Sequence, residues 1–179
     1  MRIIMYLVAI IAANVVTAAY APLNLGPFIV PMGTLLIGAT FIFRDLVQNK
    51  YGRGKTYLFI AIALLLSALA SYLLGDTLLI VLASALSFAV AETTDTEIYS
   101  RLKLPMAWRV FYSGLVGGLL DSVIFVIIGL SPLGANFLPW EAIPFAIIGQ
   151  VLVKTLIQAL GAIVLNIINN QFHKSTLAN

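Results

Sequence analysis

The sequence predicts an all-α polytopic membrane protein: a single domain of six transmembrane helices with the N and C termini both cytoplasmic. Three observations carry that prediction. The chain is 61% hydrophobic and 9% charged, whereas soluble domains carry roughly 25% charged residues. Its apolar residues gather into six stretches, each close to the about 20 residues a helix needs to cross the hydrocarbon core. Arg2, Arg44, Lys50, Arg53, Lys55, Arg101, Lys103, Arg109 and Lys174 fall at alternate gaps between those stretches, and the other gaps hold no Lys or Arg. Short loops rich in cations resist translocation and stay inside.

The first helix is expected over residues 3–21, stopped by Pro22, Asn24, Gly26 and Pro27 in an uncharged outer turn. Cleavage of this segment as a secretory leader after Ala19-Tyr20-Ala21 is the alternative parse. The second helix is expected over 28–43, with Pro31 near its N-terminus, ending at Arg44-Asp45. An inner loop then runs through Tyr51-Gly52-Arg53-Gly54 to Lys55. The third helix, 56–74, leads out to a tight Gly75-Asp76 hairpin, and the fourth, 77–99, returns to an inner loop holding Arg101, Lys103, Pro105 and Arg109. The fifth, 110–130, and the sixth, 143–169, are joined by an outer loop containing Pro132, Gly134, Pro139 and Trp140. Trp108 and Trp140 then fall at opposite interfaces, where the amphipathic indole is favoured. A polar tail from Asn170 to Asn179 is expected to fray on the inner side.

Several function classes are disfavoured. The net charge of +3 is spread along one membrane face rather than clustered, which argues against nucleic-acid binding. Cysteine is absent and there is one His, so disulfides, thiol catalysis and Cys or His metal clusters are not expected. No nucleophile with its base, phosphate loop or zinc-protease motif appears, so neither an enzyme nor a cofactor is expected.

What remains is a small set of ionisable groups inside apolar stretches, where they are costly and usually functional. Asp121 lies in mid-helix after Gly114 and Gly118, whose spacing allows close helix approach. Lys154 lies near the middle of the sixth helix, with Gln150 and Gln158 one turn to either side on the same stripe. Lys154 and Asp121 can form a structural ion pair or belong to a functional site. Glu92, Asp95, Thr96 and Tyr99 share a face of the fourth helix, and Glu97 lies off it as a solvated group. If Glu92, Asp95, Asp121 and Lys154 converge, carboxylates outnumber the ammonium, which would permit proton coupling. Arg44 and Asp45 are expected as an interfacial pair or a gate, and Asn14 as a hydrogen-bonding residue between helices.

Phe41 to Gly52, with Asp45 followed by Tyr51-Gly52, then Ala91 to Lys103, Ser113 to Ser122 and finally Lys154 form an ordered set of motifs. Together they resemble the VUT family of queuosine precursor transporters, the vitamin uptake transporter-like proteins, from about Gly26 to Ile168. Against the family pattern, Glu92 stands in place of a glutamine, Arg44 of a small polar residue and Gly118 of an asparagine. The resemblance implies a six-helix importer of 7-deazaguanine bases: 7-cyano-7-deazaguanine, 7-aminomethyl-7-deazaguanine or queuine, precursors of a modified tRNA nucleoside. The partners implied are a planar small-molecule base and the lipid bilayer, in the inner (plasma) membrane of a prokaryote-type cell; a homo-oligomer stays open. A carboxylate can accept both the N1–H and the exocyclic amine of a guanine-like edge. Asp121, Asp95 or Glu92 could fill that role, Gln150 or Gln158 could meet the O6 or N7 acceptors, and Lys154 could donate to O6 or hold a carboxylate ionised. Phe41, Tyr99, Phe111, Tyr112 or Phe125 could stack on the base. The alternative is a substrate-binding membrane subunit of a multi-component ATP-driven uptake system, docking partners through small residues such as Ala9 and Ala13.

Overall fold

A computed structural model describes the backbone of residues 1–177 and the side chains of residues 1–168. Six long helices alternate in direction: α1 (Arg2–Ala19), α2 (Thr34–Tyr51), α3 (Arg53–Leu73), α4 (Leu78–Arg101), α5 (Met106–Phe125) and α6 (Ile143–Leu177). Neighbour contacts close a ring in the order α1, α2, α6, α5, α4, α3 and back to α1. Five segments are long and apolar enough to cross a membrane: Arg2–Ala19, Arg53–Leu73, Leu78–Arg101, Met106–Leu130 and Trp140–Ile168. Their outer faces present Leu65, Leu82, Leu119, Leu152, Leu156 and Leu160, as helices solvated by lipid do. Trp108 and Trp140 are both about half exposed, one at the start of α5 and the other just before α6, hence at opposite ends of the ring.

The second helix departs most from expectation. It does not begin at residue 28 or end at 43: Phe28–Val30 is strand β2, paired antiparallel with β1 (Leu23–Leu25). Gly26, at φ +62°, makes the turn between them, a conformation glycine adopts without steric cost. Val30 is wholly buried, and a Cβ on Gly149 of α6 would fall 2.9 Å from Phe28 and Val30 atoms, so the hairpin folds tightly onto α6. The helix begins at Thr34 and continues through Arg44-Asp45 to Tyr51. Helical propagation needs only that those two charges find partners: α4 supplies Glu92 and Asp95 to Arg44, and Arg44 in turn pairs with Asp45. The expected inner loop of residues 44–55 therefore shrinks to Gly52, at φ +81°, between α2 and α3. With Arg44, Asp45 and Lys50 on it, α2 is not among the five strongly apolar segments, but it packs against every other helix and shows little of itself to lipid.

Other boundaries shift less. Helix α4 matches expectation to within two residues at each end, with Thr77 as N-cap accepting from the Ile80 amide. Helix α5 starts earlier, after Pro105, and its last turn widens into a π-helix over Val126–Leu130. Helix α6 runs on to Leu177 where fraying after residue 169 was expected; Ala178 and Asn179 lie outside the described residues, as do the side chains of the expected tail, His173 and Lys174 among them. Helix α1 is an integral wall of the ring, burying Tyr6, Ala9, Ile10 and Ala13 against its neighbours.

Candidate functional site

An open cavity of about 400 Å³ occupies one end of the ring, within the usual size range of small-molecule sites. Its walls come from the C-terminal parts of α1, α3 and α5, the N-terminal parts of α2, α4 and α6, the hairpin, and the Phe137-Leu138 loop. In an up-and-down bundle these belong to one face, the face whose loops carry no Lys or Arg. The upper wall is hydroxyl-rich, with Thr17, Thr34, Ser67, Ser71, Ser84 and Ser87. Asn14 donates to Ser67 Oγ at 2.9 Å, and Ser71 donates to Asp76 near the mouth. Tyr20, Phe88, Phe125 and Phe137 are the aromatic surfaces available for a planar ligand.

The floor is ionic. Lys154 Nζ, 2% exposed, donates to Asp121 Oδ2 at 2.6 Å, to Ser122 Oγ at 2.8 Å and to Gln150 Oε1 at 3.4 Å. Ser122 in turn donates to the Gly118 carbonyl at 2.7 Å. Of the expected glycine pair, Gly114 is the one the close approach needs, since a Cβ there would run into the Gln158 amide of α6, whereas a Cβ on Gly118 would make an ordinary 3.4 Å contact with Lys154. Lys154, Gln150 and Asp121 all line the cavity, and Asp121 keeps 13% of its side chain exposed. The Gln150 Nε2 group is buried and has no hydrogen-bond partner in the protein.

The remaining expected site residues lie deeper. Glu92 is one turn beyond Phe88 on α4, about 6 Å further along the axis by the helical rise. There Arg44, wholly buried, stands at the centre of three carboxylates. Its Nη1 lies 3.0 Å from Asp45 and also bonds Gln48 (2.8 Å) and Thr96 (3.0 Å); its Nε lies 3.1 Å from Glu92; its Nη2 pairs with Asp95. Arg44 and Asp45 are therefore not interfacial, and Glu92 and Asp95 pair with Arg44 rather than with Lys154. Gln158, fully buried, donates to the Gly38 carbonyl at 3.0 Å and ties α6 to α2 instead of lining the cavity. Glu97 sits at the surface with Arg53, Arg101 and Tyr57, as a solvated group should.

Of the aromatic residues considered for stacking, Phe125 alone lines the cavity. Phe41 is buried beside Gly117, Tyr99 lies under Arg109, and Phe111 borders a separate apolar groove with Trp108, Ala159 and Ala162. The sequence reading missed Phe88, Phe137 and the serine wall. Serine in an apolar helix is commonplace, and only the placement of α3 beside α4 shows that these hydroxyls face one space.

Among known proteins, a family model described as "Putative vitamin uptake transporter" matches residues 71–168, the span from the end of α3 to α6 that carries Glu92, Asp95, Asp121, Gln150 and Lys154. No curated protein and no solved structure matches the chain.

Proposed function

This chain belongs to the vitamin uptake transporter family, and on that premise we propose that it imports a 7-deazaguanine base, a queuosine precursor such as 7-cyano-7-deazaguanine, 7-aminomethyl-7-deazaguanine or queuine. It is an integral membrane protein, and the family's activity is transport rather than catalysis. In this reading α2 is a sixth span enclosed by the others, both termini face the cytoplasm of a prokaryote-type cell, and the cavity opens outward. Proton coupling supplies the driving force.

The observation that carries the substrate reading is the unpartnered Gln150 Nε2 donor on the floor beside the Asp121 carboxylate and the Lys154 ammonium. A buried amide left unpaired costs about 1–3 kcal/mol, a cost that a ligand acceptor in the cavity would remove. A 7-deazaguanine offers what this floor lacks: an O6 acceptor for Gln150, and an N1–H with an exocyclic amine for Asp121. Adenine presents a donor where guanine has O6 and would leave Gln150 unpaired. Phe88, Phe125 and Phe137 supply surfaces for the ring.

A thermal-shift panel on the detergent-solubilised protein tests this. At 100 times its dissociation constant a ligand adds about 2.7 kcal/mol of stability, so 7-deazaguanines and guanine should raise the melting temperature and adenine should not. Equal response to both, or to neither, would remove the substrate reading.

A further inference from the structure

Below the cavity floor, the Arg44 cluster holds one cation against three carboxylates, all at most 1% exposed. Every guanidinium nitrogen already faces a partner: Nε on Glu92, Nη1 on Asp45, Gln48 and Thr96, and Nη2 on Asp95. The second oxygens, Asp45 Oδ2, Glu92 Oε1 and Asp95 Oδ1, are buried with no hydrogen-bond partner. The Tyr6 hydroxyl faces Glu92 and the Ser113 hydroxyl faces Asp95, but neutral donors do not remove the surplus anionic charge, which is costly in a dry interior. Among the described residues no group of carboxylates is arranged to hold a metal ion. A proton supplies what the cluster lacks, since it removes one charge and turns an acceptor oxygen into a donor for its neighbour.

We propose that the Asp45–Glu92–Asp95 cluster around Arg44 is the coupling-proton site of the transporter, separate from the Lys154–Asp121 floor that meets the base. The assignment rests on the transport reading above. The charged and titratable groups facing the cluster are Tyr6 from α1, Tyr99 from α4, and Arg109 and Asp121 from α5. Arg109, over the Tyr99 ring at 4.0 Å, stands on the cationic side, and Asp121 on the cavity side, held by Lys154. The cluster thus lies between the cavity and the cationic face and bonds α2 to α4. With its proton bound it closes that route. Separation of α2 from α4 breaks the Arg44 pairs, hydrates the carboxylates, and lets the proton leave toward the cationic face as the base does.

Glu92 is the member nearest the floor, so Glu92→Gln is the leading test variant and Asp95→Asn the second. Purified chain is reconstituted in vesicles with a trapped pH dye, and 7-cyano-7-deazaguanine is supplied outside. Wild type should acidify the lumen as the base enters and should accumulate the base several-fold under an inward proton gradient. The variants should still exchange labelled base for unlabelled base across the membrane, while losing acidification and gradient-driven accumulation. A retained base-induced melting shift shows that each variant is folded. Wild-type acidification per base in both variants, or base entry without any pH change in wild type, would overturn the proton assignment and leave the substrate reading standing. A wild type that neither binds nor exchanges the base would sink the substrate reading, and the assignment with it.

Discussion

Lys154 shows how an ammonium persists in an apolar helix: it donates to Asp121, Ser122 and Gln150 together. Removing one member of a buried pair strands the other and costs about 3–5 kcal/mol, whereas replacing both by apolar groups is often neutral. Asp121 borders the cavity and keeps partial exposure, which favours the lower end of that range. Lys154→Met and Asp121→Asn should therefore each lower the melting temperature in detergent, while Lys154→Met combined with Asp121→Leu should recover most of the loss. Uptake should stay absent in all three. Uptake restored in the double variant would reduce the pair to a structural role. These two residues were legible in the sequence because an isolated charge inside an apolar stretch has few explanations. Arg44 was not, because the same chemistry at the expected end of a helix is what an inner loop looks like.

Among the helices, α5 depends most on small residues. A Cβ at Gly117 would fall 3.1 Å from both Asp95 Cβ and Phe41 Cε1 and 3.3 Å from the Ala91 carbonyl, so α4 or α2 must yield. At Gly118 the added carbon would meet Lys154 at 3.4 Å, an ordinary contact. Gly117→Ala should accordingly destabilise by about 1–3 kcal/mol, the usual range for overpacking. Gly118→Ala should lie near zero, with the lost contact space offset by about 0.5–1 kcal/mol from removing a helical glycine. Melting temperatures of the two variants side by side check the contrast, and equal loss at both positions would contradict the packing described. The spacing of Gly114 and Gly118 announced a close approach, but Gly117, which sets the distance to the Arg44 cluster, went unremarked because it belongs to a different face of α5.

For the molecule as a whole, the cavity and the cationic loops occupy opposite ends of the ring, so orientation and access can be tested together. The chain has no cysteine, which makes single introduced cysteines clean reporters. Asn24→Cys in the hairpin and Ser84→Cys in the cavity wall should react with an impermeant thiol reagent added outside whole cells, and Lys103→Cys only after the membrane is opened. A 7-deazaguanine should protect Ser84→Cys and not Asn24→Cys. Labelling of Lys103→Cys from outside would invert the proposed orientation.

Composition and the alternation of cations were enough to determine that the chain is a helical membrane protein, roughly where five of its spans lie, and that Asp121 and Lys154 must meet something polar. Those conclusions follow from the cost of charge and unpaired backbone in lipid, which acts on each segment independently of its neighbours. The course of α2 was decided only by tertiary structure. Its charges are tolerated because other helices enclose it, and no local signal reports that enclosure. The same packing sorted the buried carboxylates into two sets, Asp121 with Lys154 at the cavity and Asp45, Glu92 and Asp95 around Arg44, because pairing among groups far apart in sequence depends on which helices stand side by side.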